Sequence, residues 1–171
     1  NAKSVWTKAL NKIEVKDQNE EKLTVFYSAL YHTMIAPNTF SDVNGNYRGM
    51  DHKIHKDTLN TTYTVFSLWD TFRAAHPLYT IIEQKRTNEF INTFLKHYNQ
   101  GGRLPVWELS SNETECMIGY HSVSVITDAY HKGITNFDSA KFLAAMIYVA
   151  NLNHFGLDSY KKYGSLNAGN E

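Results

Sequence analysis

A single cysteine, Cys116, stands among the 171 residues, which excludes an internal disulfide framework and a Cys-rich zinc module. Three prolines are few for this length and suit long helices. No charge of one sign prevails: 17 basic and 17 acidic side chains give a formal net charge of +0 and a pI near 7.3. A dedicated nucleic-acid binder carries a basic surplus, and a polybasic membrane anchor is absent for the same reason. No apolar run approaches the roughly 18 residues of a transmembrane segment. What is present is an ordinary hydrophobic fraction of 42% and an aromatic share of 13%, with eleven tyrosines. Such a chain can bury a core and excludes wholesale disorder, and its length fits one domain.

The chain has neither an initiator Met nor a signal peptide. Asn1-Ala2 reads as a cloning remnant, set apart from a domain over residues 3–171. The last residues, Asn167 to Glu171, lack a helix stop that would close a domain. The expectation is a piece cut from a longer protein, whose localisation an interior piece does not reveal.

Helical periodicity dominates the remainder. Trp6, Ala9, Leu10 and Ile13 recur at the spacing of an amphipathic helix over residues 4–15. Asp17-Gln-Asn-Glu20 reads as a capping box before a buried helix carrying Leu23, Phe26, Leu30 and Met34, stopped by Pro37. Residues 37–64 are rich in turn formers, among them Asn38, Asp42, Gly45 and Gly49, while the Thr, Tyr and Val of Leu59–Phe66 favour an extended segment. Ser67-Leu-Trp-Asp70 starts a helix expected to run to about Gln84 with a kink at His76-Pro77. Phe90, Ile91, Phe94, Leu95 and Tyr98 mark the next one, ended by Gly101-Gly102. A loop over 103–112 leads to a helix expected from about 113 to 131. Asp138 caps a last helix over 139–152. The pattern is all-α: about six helices paired as αα-hairpins.

Several constellations could carry chemistry. Asp42-Val-Asn44-Gly-Asn46 alternates oxygen donors like a calcium loop, but such a loop needs glycine at its sixth position and glutamate at its twelfth. Gly45 comes too early and Lys53 stands where the glutamate belongs, so an Asx-rich turn is the better account. His52 and His55, with His32, lack the cysteines or intervening glutamate of a zinc site. Trp69-Asp70 and Trp107-Glu108 pair an indole with a carboxylate. A sugar ring has apolar faces and a hydroxyl rim, so an indole to stack on and a carboxylate to accept two hydroxyls suit it. The competing account is structural: Ser67 and Asp70 as a capping box, Trp107 as a loop anchor. Ser110 with Glu113 has the spacing of another capping box, Asn112-Glu-Thr114 is a formal glycosylation sequon, and His121 on an apolar helix face reads as a satisfied core histidine. No P-loop, dinucleotide fingerprint or nucleophile elbow occurs.

Several strings recur together in one order: Leu30-Tyr31-His32, Pro37, Asp42, Gly45, Tyr47, Gly49 and Asp51, then Phe66-Ser-Leu-Trp-Asp-Thr-Phe-Arg73 with Pro77-Leu78. Gly102-Arg-Leu-Pro-Val-Trp-Glu108, Asn112-Glu-Thr114 and Met117-Ile-Gly-Tyr-His121 follow. From about residue 22 to 156 the chain resembles glycoside hydrolase family 92, bacterial exo-acting α-mannosidases that often cleave α-1,2-linked mannose. The resemblance implies a mannose-containing glycan as substrate, calcium dependence, and inversion by an acid and a base with carboxyls about 6.5–9.5 Å apart. It implies an N-terminal β-sandwich and a C-terminal (α/α)6 toroid, of which this chain is roughly the first half, and a periplasmic or secreted location. The family's acid lies in a Glu-Ala-Asn-x-Trp-Gln-like motif, its base in a Gly-Asn-Asp/Glu-Asp-x-Gly-like motif, and a Gly-Asn-Glu-Pro-Ser-His-His-like stretch lies near the calcium. None occurs here; Gly169-Asn170-Glu171 lacks the Pro-Ser-His-His that would follow. The residues that carry over are substrate contacts: Trp69 and Asp70 toward a terminal mannose, Trp107 and Glu108 as pocket wall. Arg73 and His121 fall in matched strings without an assigned role. The expectation is a fragment without catalytic residues, binding no calcium of its own, inactive alone, and prone to form a homodimer over the helix face that its missing half leaves bare.

Overall fold

The computed structural model describes residues 1–154 and 157–166; the Gly169–Glu171 stretch lies outside them. Two compact units divide the chain, Asn1–Phe137 and Asp138–Glu171. Among the described residues there are eight helices, none long and apolar enough to cross a membrane. The first unit holds α1 (Ala2–Leu10), α2 (Glu20–Thr33), α3 (Leu68–Thr71), α4 (Ala75–Ile82), α5 (Gln84–Gly101) and α6 (His121–His131). The second holds α7 (Ser139–Ala150) and α8 (Leu157–Tyr163).

Helix α5 is the axis of the first unit. Its Thr87, Phe90, Ile91, Phe94 and His97 are buried, the spacing of one continuous helical face, with α4 and α6 packed beside it. The face meets an aromatic cluster. Phe66 lies edge-on to Phe94 at 4.9 Å and to Phe90 at 5.8 Å, and Tyr63 lies edge-on to Phe90 at 4.7 Å. Fully burying such a ring contributes about 1.5–3 kcal/mol. Gly102, at φ 77°, ends α5 in the left-handed conformation that favours glycine.

The fold is predominantly helical but not all-α. The turn-rich stretch, the extended segment around Phe66 and the loop over 103–112 build three two-stranded antiparallel ladders. β1 (Asn38–Thr39) pairs with β4 (Tyr63–Thr64), β2 (Asn46–Arg48) with β3 (Ile54–Lys56), and β5 (Phe66–Ser67) with β6 (Trp107–Glu108). Thr, Tyr, Phe and Trp at these positions fit a pleated, half-buried surface.

Other boundaries also depart from the periodicity. Asn1 caps α1 through its side chain, which accepts from the Ser4 N–H at 3.1 Å, and Ala2 is its first helical residue. Asn1 and Ala2, set aside in the sequence, stand here as the N-cap and the first residue of α1. Asn19 caps α2, accepting from Lys22 N–H at 3.1 Å, while Asp17 accepts from Asn19 N–H at 2.8 Å. The break between α3 and α4 precedes His76-Pro77, because proline is tolerated in a first turn, where Pro77 sits. Asp138 caps α7, as its spacing suggests.

Candidate functional site

The β5–β6 ladder brings the two Trp-acid pairs to one place. Phe66 faces Glu108 and Ser67 faces Trp107 in register, and Leu68 N–H donates to Val106 O at 3.2 Å. Trp69 and Asp70 follow at once on the single turn of α3.

The two acids have opposite environments. Asp70 is exposed. The Ser67 side chain makes no capping bond, so the capping-box account of Ser67 and Asp70 fails, and Asp70 takes part in none of the hydrogen bonds or ion pairs made among the described residues. Glu108 is 0% exposed. Its oxygens accept from the Thr64 hydroxyl at 2.9 and 3.1 Å and from Ser111 N–H at 2.6 Å, and the Val65 backbone hydrogen-bonds it too. Burial pushes its carboxyl up to about 7 against the pull of these partners. Glu108 therefore presents no oxygen to solvent.

The backbone around Glu108 is held in costly conformations. Leu109 and Asn112 exchange backbone bonds of 2.8 and 3.0 Å across Ser110 and Ser111, whose φ values of 52° and 64° belong to a type I′ turn normally made by Asn-Gly. Val65, β-branched, sits at φ 66°, a rare conformation for such a residue. Ser110 N–H donates to Thr64 Oγ1 at 2.6 Å, and Ser111 Oγ donates to Arg48 O at 2.5 Å. Thr64 and Glu108 thus supply the acceptors that hold the turn in place.

Glu113 clamps the other side. Its carboxylate accepts from Val106 and Trp107 N–H at 2.8 and 2.9 Å, and Thr114 Oγ1 donates to Trp107 O at 2.8 Å. This fixes the backbone of half-buried Trp107. Glu113 therefore caps no helix, and α6 begins only at His121.

Trp69 is also braced. His121 lies edge-on to its ring at 5.3 Å and stacks on Phe72 at 4.4 Å, with the Arg73 guanidinium 5.5 Å from the Trp69 centroid. His121 is half-buried and its Nε2 has no partner, so it is not a satisfied core histidine. Burial first, and Arg73 second, lower its pKa. Gly119, at φ 133°, passes so close that a Cβ there would stand 2.2 Å from His121 Nε2. Phe72 belonged to the matched string, yet its bracing role shows only in its position three residues after Trp69, one helical turn on.

No group of three or more His, Cys, Asp and Glu fit for a metal ion occurs among the described residues. In the Asx-rich stretch Asn44 Oδ1 is taken by Asn46 N–H at 3.0 Å, a turn bond. His52 faces Arg48 at 2.7 Å and His55 faces Asp51 at 2.9 Å. These residues do not fit a calcium or zinc cradle.

A comparison with curated proteins finds no match. Among solved structures, the chain is similar to the family GH92 α-mannosidase BT3965 of Bacteroides thetaiotaomicron, in complex with mannoimidazole: 38% identity over 92% of this chain and 21% of that one, TM-score 0.84. It is also similar to the family GH92 inverting mannosidase BT2199 of Bacteroides thetaiotaomicron VPI-5482, at 34% identity over 98% of this chain and 24% of that one, TM-score 0.83. The gh92 family glycosyl hydrolase ccman5, at 21% identity and TM-score 0.64, shares the fold. The chain thus spans under a quarter of the length of the relatives it matches. The model of the glycosyl hydrolase family 92 catalytic domain matches residues 1–170, and with an identity above one third to two mannosidases over nearly its whole length, this chain belongs to glycosyl hydrolase family 92.

Proposed function

We propose that the chain forms part of the sugar-binding wall of an inverting exo-α-mannosidase, in which Trp69 and Asp70 hold a terminal mannose. The observation that carries this is Asp70: an exposed carboxylate beside a braced indole, outside every protein hydrogen bond and ion pair among the described residues. Trp69 offers an apolar face to the ring and Asp70 two acceptors to neighbouring hydroxyls. Bracing by His121 and Arg73 lowers the entropy lost when a ligand arrives. Trp107, across the β5–β6 ladder, extends the wall. Glu108 acts through it, as the buried acceptor that fixes the strand end. Mannose is the sugar supported by the two mannosidases of similar structure, one of them named as inverting.

Inversion needs two free carboxyls on opposite sides of the scissile bond. Of the two Trp-acid pairs only Asp70 keeps a free one, and the acid and base motifs expected of the family have no counterpart in this sequence. The chain alone therefore binds and does not hydrolyse. It corresponds to about half of an (α/α)6 toroid, which the other half and a β-sandwich domain complete. Cleavage of α-1,2-linked mannosides, calcium dependence and a periplasmic or secreted site of action belong to that whole. The test is calorimetry with methyl α-mannoside alongside a turnover assay on an aryl α-mannoside with calcium. Saturable binding, lost in Asp70→Asn, with no turnover, is expected. Clear turnover refutes the division of labour, and binding unchanged in Asp70→Asn refutes the sugar contact.

A further inference from the structure

Glu108 is a buried acid that the sugar contact itself leaves unused, and its hydrogen-bond partners all donate. The Thr64 hydroxyl, Ser111 N–H and Val65 N–H direct their hydrogens at its two oxygens. A carboxylate only accepts, so this shell suits the ionised form. Protonation brings one more hydrogen to a site that donors already fill. Directed at Thr64 Oγ1, which accepts from Ser110 N–H at 2.6 Å, that hydrogen would turn the threonine's own away from the acid.

Burial opposes the shell. Glu108 is 0% exposed, and loss of solvent holds its carboxyl up to about 7 although the donors pull it down. Glu113, bridged to it through the backbone, adds its negative charge to the rise. On β2, Arg48 meets the turn through its carbonyl, while its guanidinium faces His52. On α5, His97 lies edge-on to Phe66, the residue opposite Glu108; burial lowers its pKa to about 3, so it stays neutral near pH 7.

What the charge holds in place is strained backbone. Ser110, Ser111 and Val65, at φ 52°, 64° and 66°, are left-handed, which residues other than glycine sustain only where surrounding bonds over-determine them. Each of the three bonds either Glu108 or Thr64. Trp107 immediately precedes Glu108, and Ser67, opposite Trp107, leads into Trp69 and Asp70. Release of the turn therefore reaches both indoles of the wall.

We infer that Glu108 is a proton switch on the sugar-binding wall: its ionised carboxylate locks the Ser110–Ser111 turn and the strand end bearing Trp107, and uptake of a proton from solvent releases them and weakens the sugar contact. The inference rests on the reading that the wall binds mannose, and adds the regulation of that site.

The test is calorimetry with methyl α-mannoside at steps from about pH 8 to about pH 6, alongside ¹³C and ¹⁵N spectra of the Glu108 carboxyl and the Ser110 and Ser111 amides over the same range. Affinity should fall about fivefold on acidification, with the midpoint at which the Glu108 signal and the two amides move. By reciprocity, saturating sugar should lower that midpoint by the logarithm of the same ratio. Glu108→Gln, neutral at every pH, should bind at the weak level throughout. In that background Ser110→Asn with Ser111→Gly, the pair that this turn normally takes, should restore the affinity. His121 faces Trp69 and also titrates, so a pH dependence that survives in Glu108→Gln would be its own and would overturn the switch. Binding that stays constant while Glu108 titrates, or a Glu108 signal that does not move in this range, would overturn it too. Binding absent at every pH refutes the wall and the switch with it, whereas binding present but flat refutes the switch alone.

Discussion

Asp70 and Glu108 each follow a tryptophan, yet substitution should separate them by stability. Asp70 is exposed and outside the hydrogen bonds made among the described residues, so Asp70→Asn should leave stability within about 0.5 kcal/mol while abolishing methyl α-mannoside binding. Glu108→Ala should act through the fold. It strands Ser111 N–H and the Thr64 hydroxyl in a site that is 0% exposed and should cost about 3 kcal/mol, measured by urea unfolding. The dipeptides look alike in the sequence because the difference is tertiary. It depends on Thr64, 44 positions upstream, and on a Ser110-Ser111 turn whose left-handed φ values no propensity favours. Trp69 and Asp70 were singled out in the sequence by residue chemistry alone, an indole to stack on and a carboxylate to accept hydroxyls.

At the scale of elements, the helices with a clean apolar stripe were legible: α5 from its Phe90, Ile91 and Phe94, and α7 from Asp138 and the run after it. The ladders were not, because two-residue strands are too short to show alternation. The stretch 113–120 looked helical, but Glu113 is drawn into clamping Trp107 instead. The core elements also carry a pH dependence. His76 on α4 and His97 on α5 are buried, and burial lowers their pKa to about 4 and about 3. Below about pH 6.5 the unfolded chain takes up two protons that the folded chain refuses. Glu108, raised to about 7 from 4.5, works the other way: the folded chain takes its proton first. Between about pH 4.5 and 6.5 the balance of these three groups is one proton, so they should make stability fall by about 1.4 kcal/mol per pH unit on acidification, and His121, also lowered, adds in the same direction. Glu108→Gln removes the opposing proton and should roughly double that slope. Urea melts at pH 6.5, 5.5 and 4.5 check both, and a flat profile contradicts the buried histidines.

For the whole molecule, the relevant fact is length: the chain spans 21% and 24% of two mannosidases it is similar to. Within the second unit, Leu143 and Ile147 on α7 are 59% and 57% exposed, one turn apart on one face. At about 25 cal/mol per Å², covering a few hundred Å² of such surface contributes several kcal/mol, so the chain should self-associate; sedimentation as a monomer at high concentration would contradict this. The central claim is more local, that a sugar sits against Trp69 and Trp107. The chain holds three tryptophans, and the third, Trp6, lies on α1 in contact with Tyr31, which makes it an internal control. The most direct measurement follows the three indole N–H resonances during titration with methyl α-mannoside. Saturable movement of the Trp69 and Trp107 signals with Trp6 still is the predicted result; three unmoved signals, or equal drift of all three, would contradict it.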